Sequence, residues 1–570
     1  MATLRPLQPS AWGQAHARHL LNRAGFGVSQ ALVELLADLG PEDAVHYLVD
    51  YERQESAVEA PDFLLPPQQL QSQRREYAGA SEEERRKLRQ QLQREERENI
   101  QQLKEWWLAR MVHTPRPLEE KLTLFWHGHF ATSSQKVRSS YHTYQLNRLF
   151  REQASGNFKQ LTATVGQSAA MLNYLDNARS TKEDPNENWA RELMELFTLG
   201  QGQYSEDDIK ESARAFTGWS HDMQEFTYRI ENHDFGEKTF MGRSGPLDGW
   251  DVLDIIFEQP AASTFIAGKL WRYLAHEQAV PALTYELGHV LRHNGFELKP
   301  MLTTLFLSEA FYAPEVMGGQ IKSPVQLLVQ LCDDLGLENI PYEQMARATA
   351  ALGQDLFYPP NVKGWDGNRA WINANTLLQR YNLPPRLAMA SLAPARQEML
   401  ETSQAMMAPG TDPELAPRNR NRAQSTRGAG RGRPNSRAVK ELLQQQREQV
   451  AEKLRLMPRA ERRTKIRVLK QGTPEQRAEM LRALGIRPLP WQEGAMEIFA
   501  ELNFDTGREC IAALEGRFLV RPLNDDQRRI LQEALGITEP SARLRLAEVP
   551  VDRRRAALHL ITSLAEYQLC

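Results

Sequence analysis

Apolar residues recur at helical spacing along most of this chain, and glycine and proline fall between those stretches rather than inside them. That pattern constrains the fold more than any other feature, because a period near 3.6 cannot sit still as a strand. It predicts a mainly α protein: a large multi-helical body with long ordered loops. Residues 11–22 and 29–39 read as a first pair of helices, broken at Ala24–Gly27, where glycines supply the left-handed conformation that ends a helix. Gly40-Pro41 stops the second in the same way. Ser205 with Asp208 forms a capping box that opens a helix running to about Phe216. Residues 220–250 are irregular, and alternation over Glu225–Ile230 predicts a small β-hairpin near 225–245. Helix resumes over 251–312 and 323–355. Residues 357–373 carry prolines, glycines and four aromatics, which predicts a long ordered loop with buried rings.

Two regions depart from this texture. In 68–105, nine basic and eight acidic residues accompany a thin apolar stripe (Leu88, Leu92, Ile100, Leu103, Trp107), as expected of a projecting charged helix or helical hairpin. Residues 409–437 hold seven arginines and almost no apolar mass, so they are expected to be a disordered linker. The predicted organisation is a main helical domain at 1–400, this linker, and a C-terminal helical part at 438–570 packing on the main domain. Within that part, Thr473–Ile486 and Asn524–Ile537 share one plan: an N-cap residue, a glutamine at the third helical position, and a glycine stop.

At 570 residues the chain can bury a core without staples. Seventy basic against 73 acidic residues give a formal charge of −3, which argues against a nucleic-acid coat. Cys332, Cys510 and Cys570 lie far apart with no C-x-x-C, against a disulfide framework or zinc ribbon. No apolar run reaches the ~18 residues of a membrane span. The first residues lack a signal-peptide core, so the expected compartment is the cytoplasm, with co-export on a partner as the other route.

The ionisable residues inside apolar segments carry the functional expectations. His127-Gly128-His129 ends a helix. Were a turn to bring the rings together, they would supply two imidazoles to a metal; otherwise they bond neighbouring backbone. The helix at 186–199 presents Trp189, Leu193, Leu196 and Phe197 on one face. Glu187, Arg191, Glu192 and Glu195 lie on the others, and the apolar width suggests deep burial of those carboxylates. Buried carboxylates need a partner or a cation. Arg191 can hold one in bidentate fashion. His233-Asp234 lies on a loop, with Lys238 and Arg243 near enough to hold an anionic group, or else serves turn chemistry. No Walker loop, nucleophile elbow, H-E-x-x-H or G-x-G-x-x-G stands in a convincing context.

Six segments together resemble one family. HLLNRAGFG (19–27), EKLTLFWHGHFATS (120–133), MLNYLDN (171–177), PNENWARELMELFTLGQGQYSEDDIKESARAFTGW (185–219), HDFGEKTFMGRSG (233–245) and PPNVKGWDGNRAWIN (359–373) resemble, in order, the bacterial "domain of unknown function 1800" family. The likeness runs over essentially the whole chain, from about residue 11 to 568. Trp189 stands where a tyrosine is commoner, and 68–105 is an insertion. The resemblance supplies no activity or cofactor. It implies as a protein partner the "domain of unknown function 1501" family, which resembles phosphatases and sulfatases.

The leading expectation is a metal-assisted hydrolase. His127, His129, Glu192, His233 and Asp234 are its metal ligands, and Glu192, Glu195, Arg191, His233 and Asp234 its catalytic groups, with a divalent metal as the implied cofactor. It requires these segments to converge. The alternative is a non-catalytic scaffold or escort for a phosphatase-like partner; a fainter one is an iron or haem oxidase.

Overall fold

The computed structural model describes residues 3–27, 29–56, 59–64, 81–222, 225–337, 339–387, 498–499, 502–545 and 549–570, with single positions at 453 and 465. The 409–437 linker and the 473–486 half of the helix repeat lie outside the described residues.

The protein is mainly α. Helices α1 (Gln14–Ala24), α2 (Gln30–Leu39) and α3 (Pro41–Val49) open the chain. Gly40 turns between the last two with φ 82°, as the sequence predicts. Gly25 does not: its backbone is extended, φ −143°, so the expected left-handed stop is absent there. Its small size matters instead, because a Cβ at this position would lie 2.9 Å from the Pro117 side chain.

The charged segment becomes α4 (Glu82–His113), capped by a Ser81/Glu84 box. Its first half is solvated. Its second half docks through Ile100, Leu103, Trp107, Leu108 and Met111, all buried, so the helix runs past the expected end at 105.

Helix α5 (Pro117–His129) is buried on nearly every side. Leu118, Leu122, Phe125 and Trp126 join one apolar core, which is built also from α1–α3 and the helices between 140 and 307. Leu124 joins a second, built from α4, residues 324–357 and the C-terminal helices. A helix buried on all sides in this way is an interior wall, and its polar residues must find partners inside the protein. Glu120 is nonetheless fully buried on it. Arg151 Nε and Nη2 donate to its oxygens at 2.6 and 3.1 Å, Trp107 Nε1 at 2.8 Å, and Arg110 also donates.

Two hairpins interrupt the helices. Strands β1 (Trp219–His221) and β2 (Phe226–Tyr228) pair antiparallel, with Ser220 opposite Thr227. Strands β3 (Lys238–Phe240) and β4 (Arg243–Gly245) follow, joined through Met241 and Gly242 at φ 45° and 79°. Near the end of the chain, the helix Asp525–Leu535 has the predicted plan: Asn524 boxes with Gln527, and Gly536 is left-handed. Cys332, Cys510 and Cys570 are free and buried. No helix among the described residues is long and apolar enough to cross a membrane.

Candidate functional site

The helix after Asn186 changes character halfway. Glu187–Glu192 is α-helical and Leu193–Thr198 is a π-turn. The sequence reading of one regular helix misses this. The wider turn moves the end carbonyls out of the usual ladder, and side chains satisfy them. Thr198 Oγ1 donates to the Leu193 carbonyl at 2.5 Å, Lys269 Nζ to that of Leu196 at 2.8 Å, and His129 Nε2 to that of Phe197 at 3.1 Å. The last bond fixes the His129 tautomer, leaving Nδ1 as an acceptor 3.3 Å from Lys269 Nζ.

His127 points elsewhere. Its Nε2 accepts the Phe357 backbone N–H at 3.0 Å, and its ring packs among Trp107, Phe357 and Trp365. Burial pushes its pKa down to about 3. Burial, reinforced by the Lys269 charge, holds His129 well below the ordinary imidazole range. Both rings are neutral core histidines, each bonded to backbone. Between them, Gly128 is covered by the turn at 363–367. Gly364, at φ 79°, approaches so closely that a Cβ there would lie 2.2 Å from the Gly128 carbonyl oxygen.

Arg191 faces outward. Its guanidinium takes Glu206 in bidentate fashion, both bonds 3.0 Å, and Glu187 at 3.2 Å. These hydrogen bonds hold its pKa above the ordinary arginine value. The deep burial expected of the carboxylates on this helix is therefore wrong: Glu187, Glu192 and Glu195 are only half-buried. The apolar face is narrower than the sequence suggests, because the following helix, Glu206–Ala215, brings an acidic first turn to Arg191.

His233 and Asp234 belong to a different place. His233 Nδ1 donates to the Thr217 carbonyl at 2.9 Å. Asp234 takes Arg214 Nε at 2.7 Å and the Gly236 N–H at 2.7 Å. The hydrogen bond from Arg214 holds its carboxyl below the ordinary range. Lys238 donates to the backbone carbonyls of Asp234 and Gly236, and Arg243 pairs with Glu258, so neither is left to hold an anion. The ligand set His127, His129, Glu192, His233 and Asp234 is not gathered. Among the described residues no three His, Cys, Asp or Glu side chains are grouped so as to hold a metal ion.

What does come together is a ledge around Glu192. Glu195, one turn on, accepts from Gln201 at 2.7 Å and from the Tyr204 hydroxyl at 3.3 Å. Glu192 itself has no hydrogen-bond or ion-pair partner among the described residues. Partial burial, then the Glu195 charge, raise its pKa, and the charges of Lys363 and Arg191 oppose this only in part. Tyr174 stands close enough for Glu192 to raise the pKa of its phenol, which burial has already lifted. Tyr204 is pushed up to about 12 by burial and by Glu195. The sequence gives Tyr174, Tyr204 and Lys363 no role at a site. Nothing in their spacing reports that segments near 174, 192, 204 and 363 share one surface.

The fold and this ledge define a large helical protein that displays a half-exposed pair of carboxylates over neutral, buried histidines. The family model described as "Protein of unknown function (DUF1800)" matches residues 19–569, and the chain belongs to that family. No curated protein and no solved structure matches the chain.

Proposed function

We propose that the protein is a hydrolytic enzyme whose reaction centre is the Glu192–Glu195 ledge. Glu192 is the proton-transferring group that activates water, and Tyr174, Tyr204 and Lys363 border the substrate. One observation carries this reading. Glu192 is a half-buried carboxylate with no direct partner among the described residues, set beside a second carboxylate that makes its ionisation costlier. A structural role does not call for such an arrangement, whereas general acid–base catalysis does, because it needs a carboxyl titrating nearer to neutrality. The π-turn beneath it fits the tendency of such turns to occur at functional sites. His129 holds the turn through the Phe197 carbonyl, while His127 is spent on the Phe357 backbone. His233 and Asp234 tie the loop between the two hairpins to Arg214 and Thr217.

The test is a panel of ester, phosphoester, amide and glycoside substrates, run with and without added magnesium. Glu192→Gln is expected to lower any turnover found by roughly 10²–10⁴-fold. Glu195→Gln removes the like charge, lowers the Glu192 pKa and moves the acidic limb of the pH profile to lower pH. Full turnover in Glu192→Gln overturns the assignment.

A second reading, a non-catalytic scaffold or escort for a phosphatase- or sulfatase-like partner, is favoured by a different observation. His127, His129, His233 and Asp234 are all consumed by partners of their own. An inert panel together with co-purification of such a partner would support it.

A further inference from the structure

One pair of histidines has no structural duty. His289 and His293 lie four residues apart on the helix Pro281–His293, which buries Leu283, Leu287 and Leu291 on its opposite side. Both are exposed. Their rings are stacked, with centroids 5.7 Å apart and planes 13° from parallel. Neither has a hydrogen-bond or ion-pair partner among the described residues. Arg292, between them in sequence, turns away to donate to the Glu258 carbonyl. His127, His129 and His233 each commit at least one ring nitrogen to the fold; among the described residues these two commit none.

We propose that His289 and His293 form a two-imidazole chelate for a borderline divalent transition metal, Cu²⁺ or Ni²⁺ before Zn²⁺. Residues at i and i+4 share one helix face with Cβ atoms about 5–6 Å apart, which lets two imidazoles converge on one ion at about 2.0–2.1 Å each. Both rings are exposed, so to converge on an ion they give up only their mutual stacking. The helix backbone already fixes the spacing, so little ordering is lost on chelation. Imidazole donors with the remaining positions left to water favour copper and nickel in the order of intrinsic affinities. The exposed Glu286, one turn before His289, adds negative charge on the approach. The site owes nothing to the Glu192 reading and stands or falls separately from it.

The experiment uses the full chain without a histidine tag, because the protein has 13 histidines of its own. Titration calorimetry with CuCl₂ and NiCl₂ is expected to show one tightest equivalent, copper above nickel. His289→Ala and His293→Ala are each expected to weaken that equivalent at least about tenfold, since either leaves a single imidazole. Melting temperature gives the second readout. Both variants melt like the parent without metal, the parent's melting point rises with copper, and the variants' rise is lost. Two outcomes overturn the site: copper binding unchanged in both variants, or no equivalent tighter than that of the doubly substituted chain.

Discussion

Glu120 and Glu192 are both glutamates in segments rich in aromatics, yet their surroundings treat charge in opposite ways. Glu120 is completely buried, which by itself would raise its pKa. Arg151 and Arg110 outweigh that, and its carboxyl is held below the ordinary range. Glu192 is only half-buried, yet that partial burial, with the Glu195 charge adding to it, raises its pKa. The difference lies in partners. Glu120 accepts from two guanidiniums and an indole. Among the described residues Glu192 has no partner in contact to offset its partial burial: the Glu195 charge adds to the rise, and the charges of Lys363 and Arg191 oppose it only in part. Burial sets the size of what is at stake in a charge, and partners set the sign.

The comparison breaks most visibly at Glu120. Glu120→Gln leaves two arginines in the interior with a neutral acceptor, and should cost about 3–5 kcal/mol in urea unfolding at neutral pH. The pH dependence follows from the depressed pKa. The stabilisation is fully present above the ordinary carboxylate value and disappears as pH falls through the lowered one. The parent and variant curves should therefore converge in acid. A cost below about 1 kcal/mol at pH 7 would show that the cluster is not the anchor drawn here. The next largest effect falls on the roof of the His-Gly-His turn. Gly364→Ala must accommodate a Cβ 2.2 Å from the Gly128 oxygen at a φ of 79°. The expected loss is about 2 kcal/mol or more, with faster amide exchange over 361–367 as its local signature. Parent-like stability and exchange would mean the two turns do not interlock.

How much of this could be read in advance depended on how local the cause was. The Ser205 and Asn524 capping boxes, the Gly40 and Gly536 stops and a small hairpin near 225–245 depend on residues within a few positions, and the sequence predicts them; it does not predict the other hairpin, which begins at Trp219. The bland reading of His127 and His129, bonds to nearby backbone, names the right kind of partner, but the actual carbonyl and amide come from Phe197 and Phe357. No spacing rule reaches across 230 residues. Arg191 is placed correctly as a bidentate clamp, yet its main partner is Glu206 on the next helix rather than a buried neighbour, so the inferred depth of burial fails. The π-turn leaves no mark in composition. Gly25 is conspicuous in the sequence for the wrong reason: its role is close approach to Pro117, which needs the fold. The Glu192 ledge is half legible, its two carboxylates from helical spacing, its tyrosines and lysine from nothing local.

A third substitution tests whether the histidines are structural. His127→Phe keeps a ring among Trp107, Phe357 and Trp365 but leaves the Phe357 N–H without an acceptor, at an expected cost of about 1–3 kcal/mol. His127→Gln, which can still accept, should recover part of that. In the folded protein His127 stays neutral, with its pKa at about 3, whereas the unfolded ring takes up a proton as pH falls below the ordinary imidazole value. The parent therefore loses stability towards acid, and the cost of His127→Phe should shrink from pH 8 to pH 5, by up to about 2 kcal/mol. A cost that stays constant from pH 8 to pH 5 would mean the ring carries charge in the folded protein.

The smallest effect on stability is the most informative about function. A carboxyl whose folded pKa lies above its unfolded value contributes most at low pH, and its contribution is lost as pH rises through the folded value. At neutral pH, ionised Glu192 is therefore a liability. Glu192→Gln should leave the protein equally stable in acid and slightly more stable at pH 7, by no more than about 1 kcal/mol because solvent screens a half-exposed group. Chemical unfolding at pH 4 and pH 7 measures both ends. A variant less stable at pH 7 would show that Glu192 is paired in solution after all, and the ledge would lose the feature that distinguishes it from Glu120.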